Sequence, residues 1–286
     1  MNNNVLNQIE QAFDSYSKGQ KKIAQFILDQ YDKAAFMTAS KLGQEVGVSE
    51  STVVRFANAL GYEGYPELQV ALGEIIKNKL TSLQRMEIAY DKMANEDILS
   101  KVINSDISKM RSTLENIDKH DFDMAVEKIL GAKKIYILGV RSASAISSFI
   151  GFYFNLLFTD VRLVHTTSVS EMFEQILRVK AGDVVIGVSF PRYSRRTIKA
   201  LEYAKKKGAT VISITDTHQS PLVACSDISL FAKTDMVSFV DSLVAPLSLV
   251  NALIVAIGMK KKQEITQTFN DLETIWAEYN VYNQEN

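Results

Sequence analysis

The segment from Ala39 to Asn58, ASKLGQEVGVSESTVVRFAN, limits what this chain can fold into more than any other stretch. Leu42, Val46, Val48, Val53 and Phe56 follow helical spacing, and the pattern breaks at Gly47 and then resumes. That predicts two short amphipathic helices sharing one apolar seam, a helix-turn-helix. Gly47 supplies the turn, and Gly43, one helical turn earlier, has no side chain to hold the second helix away from the first. Ser49 stands at the N-cap position of the second helix, where a hydroxyl can accept from an orphan backbone N–H. With Val53, Phe56, Ala57 and Leu60 turned inward, the other face carries Ser51, Thr52, Arg55 and Asn58. Together with Ser40, Lys41 and Ser49 these form a hydrogen-bonding set suited to base edges and phosphates in a major groove, and they are the expected DNA-binding residues.

The bulk numbers neither help nor forbid that reading. The 286 residues are enough for two domains, each with its own core. Lys plus Arg number 32 against 33 Asp plus Glu, and residues 1–77 hold seven basic and nine acidic side chains. DNA binding would therefore rest on a local patch and on dimerisation, not on net charge. A single cysteine, Cys225, excludes an intramolecular disulfide and is compatible with a reducing cytosol, where packing is its expected role. The N-terminal MNNNVLNQIEQ has no basic segment followed by an apolar one, so no signal peptide is expected. The apolar stretch Val237 to Met259 contains Asp241, Pro246 and Asn251, which suit a buried helix better than a lipid-facing span. A cytoplasmic protein with no membrane partner follows.

Two helices, Asn4 to Ser15 and Gln20 to Gln30, are expected to buttress the reader. Gly61, Gly64 and Pro66 then mark a turn into a further helix toward Lys79, with Pro66 at its first position. The first domain ends near residue 77. Residues 78–120 are polar, without Gly or Pro, and keep recurring apolar positions such as Leu80, Leu83, Met86, Ile98, Val102, Ile107 and Leu114. They read as a helical linker that packs on a dimer mate, packs on the second domain, or stays a solvated tether.

The second domain spans 121–286. From Lys133 onward, KIYIL (134–138), VRLVH (161–165), DVVIGVS (183–189), TVISIT (210–215) and DISLF (227–231) alternate with helical segments. That is the mark of a five-stranded parallel sheet covered by helices on both faces, an α/β three-layer domain after an all-α one. Ligands in such folds bind beyond the carboxyl ends of the strands. Two loops answer to that position: 139–144 after the first strand and 189–197 after the third. Arg141, Ser142 and Ser144 in one, and Ser189, Arg192, Ser194 and Thr197 in the other, are the expected ligand-binding residues, since hydroxyls, guanidinium groups and helix N–H groups can converge on an anion. The tail beyond Lys260 begins with three lysines and carries Ile265, Phe269, Leu272, Ile275 and Trp276 at helical spacing, so a docked C-terminal helix is expected. The lysines are either solvated or a source of phosphate contacts.

The run from Lys21 to Ile76, with GVSESTVVRF and LGYEGYPE inside it, resembles the N-terminal domain of the RpiR family of bacterial transcriptional regulators. Residues 133–258, with ITDTHQSPLVACSDISL, are similar to the sugar isomerase (SIS) domain that follows it in that family, a phosphosugar-binding module. The resemblance implies an operator-binding regulator whose SIS domain senses a metabolite, and a homodimer or homotetramer. Family loops commonly read GVGASG after the first strand and SYSGET after the third. Laid on them, Arg141 and Arg192 fall where glycines are usual, Ala143 falls at a usual serine, and Ser189 and Ser194 keep hydroxyl positions. Guanidinium forks in place of backbone cradling favour an anionic effector, a phosphorylated sugar or a sugar acid, bound bidentately. The same arginines could instead hold carboxylates of a partner subunit.

The alternative is a sugar-phosphate isomerase with an accessory helical domain, which needs a tuned base beside the substrate carbon. Glu171 and Glu174 follow the second strand, and His218 follows the fourth. His120 and His165 are scattered without metal-ligand spacing. No catalytic residue, metal or cofactor is assigned. Whether an effector promotes operator binding or release is open.

Overall fold

The computed structural model describes residues 5–79, 86, 97–166, 168–234 and 240–282, the side chains at 32 and 74–79 aside. Leu80, Leu83 and the start of the apolar stretch at Val237 lie outside the described residues. The chain divides into two compact units, residues 1–88 and 89–286.

The first unit is helical. Its elements are α1 (Val5–Ala12), a 3-10 turn (Phe13–Ser15), α2 (Lys18–Asp29), α3 (Tyr31–Ala34), α4 (Ala39–Val46), α5 (Glu50–Ala59) and α6 (Tyr65–Lys79). Helix α2 starts on a capping box, in which the Ser17 hydroxyl accepts from Gln20 N and the Gln20 side chain accepts from Ser17 N. Two orphan donors are satisfied at once, which fixes where the helix begins. Ile9, Ile23, Ile27, Leu42, Val53, Phe56, Leu68 and Leu72 are fully buried and draw residues from five of the helices into one core. The Tyr16 ring meets Phe56 at 5.1 Å between centroids. Residue Tyr65 is buried and donates its hydroxyl to Ala34 O at 3.0 Å, tying α6 to α3.

The second unit begins in chain order with α7 (Ile98–Asn116) and α8 (Lys119–Leu130). The part of the expected linker from 98 to 116 is thus a helix of this unit, packed on α12. There follow β1 (Ile135–Gly139), α9 (Ala143–Leu157), β2 (Val161–Val164), α10 (Val169–Ile176), β3 (Val184–Val188), α11 (Arg195–Lys206), β4 (Thr210–Thr215), β5 (Ile228–Phe231), α12 (Val244–Lys260) and α13 (Lys262–Glu278). The five strands match the five expected runs and form one all-parallel sheet in the order β2-β1-β3-β4-β5. Strands β1 and β3 are buried at every position, which is why their sequences are continuous apolar runs and not alternating ones.

Two cores sandwich the sheet. On one face Ile135, Ile137 and Ile186 pack with α8, α9 and α12 through Ile129, Ile150, Phe154 and Leu253. On the other, Tyr136, Leu138 and Val185 pack with α10 and α11 through Met172, Leu201 and Ala204, and Cys225 lies buried among them. The expected docking of the C-terminal helix is overturned in part: α13 rests on the unit but none of its residues is buried. Of the three lysines at the α12–α13 junction, two are engaged within the unit, Lys260 with Glu127, and Lys261 with Glu264 and over the Phe158 ring. Among the described residues no single helix is long and apolar enough to cross a membrane, and α12 and α13 are bent by 98°.

Candidate functional site

In the first unit the turn between α4 and α5 is built as its glycines require. Gly47 ends α4 in the left-handed region, with φ 68° and ψ 50°, and Val48 N donates to Gly43 O at 2.8 Å. A Cβ on Gly43 would stand 2.8 Å from Val48 O, so the close crossing exists only because that atom is missing. The cap of α4, unread in the sequence, is Thr38, whose hydroxyl accepts from Lys41 N at 3.2 Å. Ser49 has the extended N-cap backbone, but the expected cap bond is not made. Its hydroxyl instead meets Ser51 Oγ at 2.9 Å and Thr52 Oγ1 at 2.8 Å.

Ser40, Lys41, Ser49, Ser51, Arg55 and Asn58 are exposed, and Thr52 is half-buried. The Thr52 methyl faces Gly19 of α2, so only its hydroxyl side looks outward. Arg55 Nε donates to Ser51 O at 3.2 Å, which holds the guanidinium along the helix. Asn58, in the amide orientation that satisfies both its ends, donates to Tyr62 O at 3.1 Å and Glu63 O at 3.3 Å. It ties down the end of α5 in the free protein. One cation was missed in the sequence: exposed Lys22 of α2 brings its ammonium beside the Gly47 turn. No local signal places it there, because α2 is distant in the chain and only packing unites the two.

In the second unit the strand order fixes the candidate effector site. The chain leaves β1 for α9 on one face and β3 for α11 on the other, and these two strands are neighbours, with Gly139 beside Val188. That is the topological switch point of a doubly wound sheet, where a crevice opens between diverging loops. The loops carrying Arg141 and Arg192 are the two that flank it.

Both arginines adopt left-handed backbone, Arg141 with φ 59° and Arg192 with φ 68°. Among the described residues the only other non-glycine with positive φ is Asn280. Each conformation costs an L-residue about 1–2 kcal/mol. Both side chains are exposed. Around them the hydroxyls hold the loops. Ser144 Oγ donates to Arg141 O at 2.5 Å. Ser189 Oγ accepts from Ser194 N at 3.1 Å, and Ser194 Oγ accepts from Thr197 N at 3.3 Å as the cap of α11. Ser142 is exposed and makes no cap bond. The seven residues therefore do not form one open surface: Arg141, Ser142 and Arg192 face outward, Ser144 and Ser194 are half-buried, and Ser189 and Thr197 are buried. The Thr197 hydroxyl, on a fully buried residue in the first turn of α11, has no hydrogen-bond partner.

A network behind this loop was not assigned from the sequence. Tyr193 OH donates to Asp216 Oδ1 at 2.7 Å, and Thr215 Oγ1 reaches Asp216 Oδ1 at 3.3 Å and Ser220 Oγ at 2.8 Å. Burial, reinforced by the Asp216 carboxylate, pushes the Tyr193 phenol far above its ordinary value, so it is a donor at any physiological pH. Of the isomerase candidates, Glu171 and Glu174 are exposed and Glu171 accepts from Thr166 Oγ1. His218 is exposed and stacks on Phe231 at 4.1 Å.

Comparison with known proteins covers both units. The model of the helix-turn-helix domain of the rpiR family matches residues 3–79, and that of the SIS domain matches residues 128–256. An uncharacterized HTH-type transcriptional regulator of Caldanaerobacter subterraneus is 23% identical over 98% of this chain and 99% of its own. The HTH-type transcriptional regulator HexR of Pseudomonas aeruginosa is 25% identical over 90% of each chain. The fold is similar to that of the Vibrio vulnificus NanR protein complexed with ManNAc-6P, with a TM-score of 0.59 at 21% identity, covering 96% of this chain and 99% of that one. It is also similar to the sugar isomerase domain of an RpiR transcription factor from Sphaerobacter thermophilus, with a TM-score of 0.59 at 24% identity over 63% of this chain and 99% of that one.

Proposed function

This chain belongs to the RpiR family of transcriptional regulators, a helix-turn-helix domain joined to a SIS domain, and from that premise we propose that it binds an operator and that an anionic metabolite modulates the binding. The observation that carries the effector half is the pair of left-handed arginines on the loops flanking the switch point. Backbone strain persists where the surroundings hold it, and it gathers at ligand sites. Arginines on both loops suit bidentate binding of an anion at the place where an α/β sheet takes its ligand. A phosphorylated sugar or sugar acid suits that chemistry, and the ManNAc-6P held by the NanR relative supports the phosphosugar side. The unpartnered Thr197 hydroxyl near the start of α11 is a further group for an anion to use.

The operator half rests on the exposed face of α4 and α5, with Ser40, Lys41, Ser49, Ser51 and Arg55 outward and Lys22 added from α2. Thr52 and Asn58 contribute through their remaining polar edges. A helix-turn-helix usually reads two half-sites as a dimer, so a palindromic double-stranded operator is expected, with the protein acting in the cytoplasm as a homodimer. The effector alters DNA affinity only by binding one arrangement of the dimer better than the other. The named relatives are transcriptional regulators, and neither loop 139–144 nor 189–197 carries a carboxylate or an imidazole, which supports regulation over isomerisation.

The test is binding of the purified chain to DNA upstream of its own and neighbouring genes, at stated salt, with and without a panel of phosphosugars and sugar acids. A footprint that shifts with one compound supports the proposal. Turnover of a phosphosugar without any footprint would replace it with the isomerase.

A further inference from the structure

Helix α7 opens the second unit, and the face it buries there is polar. Two of its side chains are buried, Lys109 and Thr113. Lys109 pairs with Asp106 of the same helix at 3.3 Å. Thr113 reaches out of the helix: its Oγ1 accepts from Lys233 N at 3.0 Å, across 120 positions of sequence. Lys233 lies just beyond the carboxyl end of β5, and in an all-parallel sheet that is the same edge as the loops after β1 and β3.

From that bond a short route leads to the loop after β3. Ala232, next to Lys233, donates its N–H to Thr215 O at 2.8 Å. Asp216, next to Thr215, accepts from Tyr193 OH at 2.7 Å, and Tyr193 follows Arg192. Three hydrogen bonds and two peptide links thus join the loop of Arg192 to α7. Thr215, Asp216, Ala232 and Thr113 are all buried, so water does not compete for these bonds and close packing passes a displacement on. The same seam holds a group left over: the Thr234 hydroxyl, beside Lys233, is buried and has no hydrogen-bond partner. An unpaired buried hydroxyl is costly. A shift of the segment after β5 can therefore gain a bond as well as lose one, which gives the seam a second arrangement to move to.

We propose that Thr113 is the joint that couples the loop after β3 to α7, and through α7 to the segment that leads back along the chain to the reader. A change at Arg192 and Tyr193 passes through Asp216 and Thr215 to Lys233, and there it acts on the helix. Thr113 is a positioning residue, since it works by where it holds α7. The joint rests on the proposed function for its purpose alone: an effector at these loops need only favour one arrangement of the seam over the other. The coupling itself is a property of the second unit.

The experiment is a double-mutant cycle read by amide hydrogen exchange on the full chain, without DNA or effector. The variants are Thr113→Val, Tyr193→Phe and the two combined, with Thr113→Ser as the replacement that keeps the oxygen. Thr113→Val should speed exchange of the α7 amides about tenfold, the scale of one lost hydrogen bond. Tyr193→Phe should speed them about threefold from the far end of the route. Amides of α8 and α9 should not change, and Thr113→Ser should behave as the wild type. The combined variant should exchange no faster than Thr113→Val alone, because Tyr193 has then lost its connection to the helix. Effects that multiply in the combined variant, an α7 indifferent to Tyr193→Phe, or a rise shared equally by α8 and α9 overturns the proposal. Exchange reads rare openings, so these changes appear without altering effector-free operator affinity. Failure of the operator assay leaves the cycle readable, and loss of the proposed function and loss of the joint are separate results.

Discussion

Tyr193 and Asp216 are joined by a 2.7 Å hydrogen bond that ties the loop after β3 to the loop after β4. The carboxylate is buried, and Arg192 immediately precedes the tyrosine in the chain. The bond thereby braces the backbone that holds Arg192 in its left-handed conformation. Tyr193→Phe leaves a buried carboxylate short of one donor, worth about 1–3 kcal/mol. We expect effector affinity to fall by about tenfold, the equivalent of 1.4 kcal/mol, with effector-free operator binding unchanged. Calorimetric titration of the variant checks this, and an unchanged affinity would remove the brace from the account.

Arg141→Gly and Arg192→Gly should separate stability from function. Glycine relieves a strained φ worth about 1–2 kcal/mol and gives back part of that through a freer unfolded chain. Denaturant unfolding should show stability unchanged or raised by up to about 1 kcal/mol, while the response to effector is lost. Lysine at the same positions keeps the charge without the fork and should give a weakened response.

Two substitutions in the reader should part fold from recognition. Gly43→Ala puts a Cβ 2.8 Å from the Val48 carbonyl, a backbone atom that cannot step aside, and overpacking of that kind costs about 1–3 kcal/mol. Arg55→Ala removes an exposed side chain and should leave the melting temperature intact while weakening operator binding. If Arg55 contacts a phosphate, the slope of log affinity against log salt drops by about 1.

Alkaline pH should loosen the first unit. Burial pushes the Tyr65 phenol from 10.0 up to about 12, and Tyr16 and Tyr62 are raised in the same direction, chiefly by burial. A raised folded pKa means the stability is fully present below pH 10, the unfolded value, and is lost as pH rises through the folded one, here between about 10 and 12. Tyr65→Phe should lower stability at neutral pH by about 1 kcal/mol, since Ala34 O loses its donor. It should also flatten the decline above pH 10, as followed by circular dichroism.

Much of this protein is local chemistry that one pass along the chain exposes. The spacing of Leu42, Val53 and Phe56 around Gly47 is enough for a helix-turn-helix, because each helix must bury one stripe and only a left-handed residue closes the turn. The Val and Ile runs suffice for five buried parallel strands, since only a strand covered on both faces can be apolar throughout. Arg141 and Arg192 stand out only through the resemblance to the RpiR family, whose loops carry glycine at those places.

What the tertiary structure decided depends on residues far apart in the chain. Strand order placed β1 beside β3, and that neighbourhood, which no run of residues encodes, turned two separate loops into the walls of one crevice. Packing buried Ser189 and Thr197, bonded Tyr193 to Asp216 across 23 positions, and brought Lys22 to the reader turn. It also set the polar face of α7 inward and left α13 without a buried residue, though both have the apolar periodicity of docked helices. Periodicity records that a helix has an apolar side. Only the arrangement of the other elements decides whether that side meets its own core or remains open.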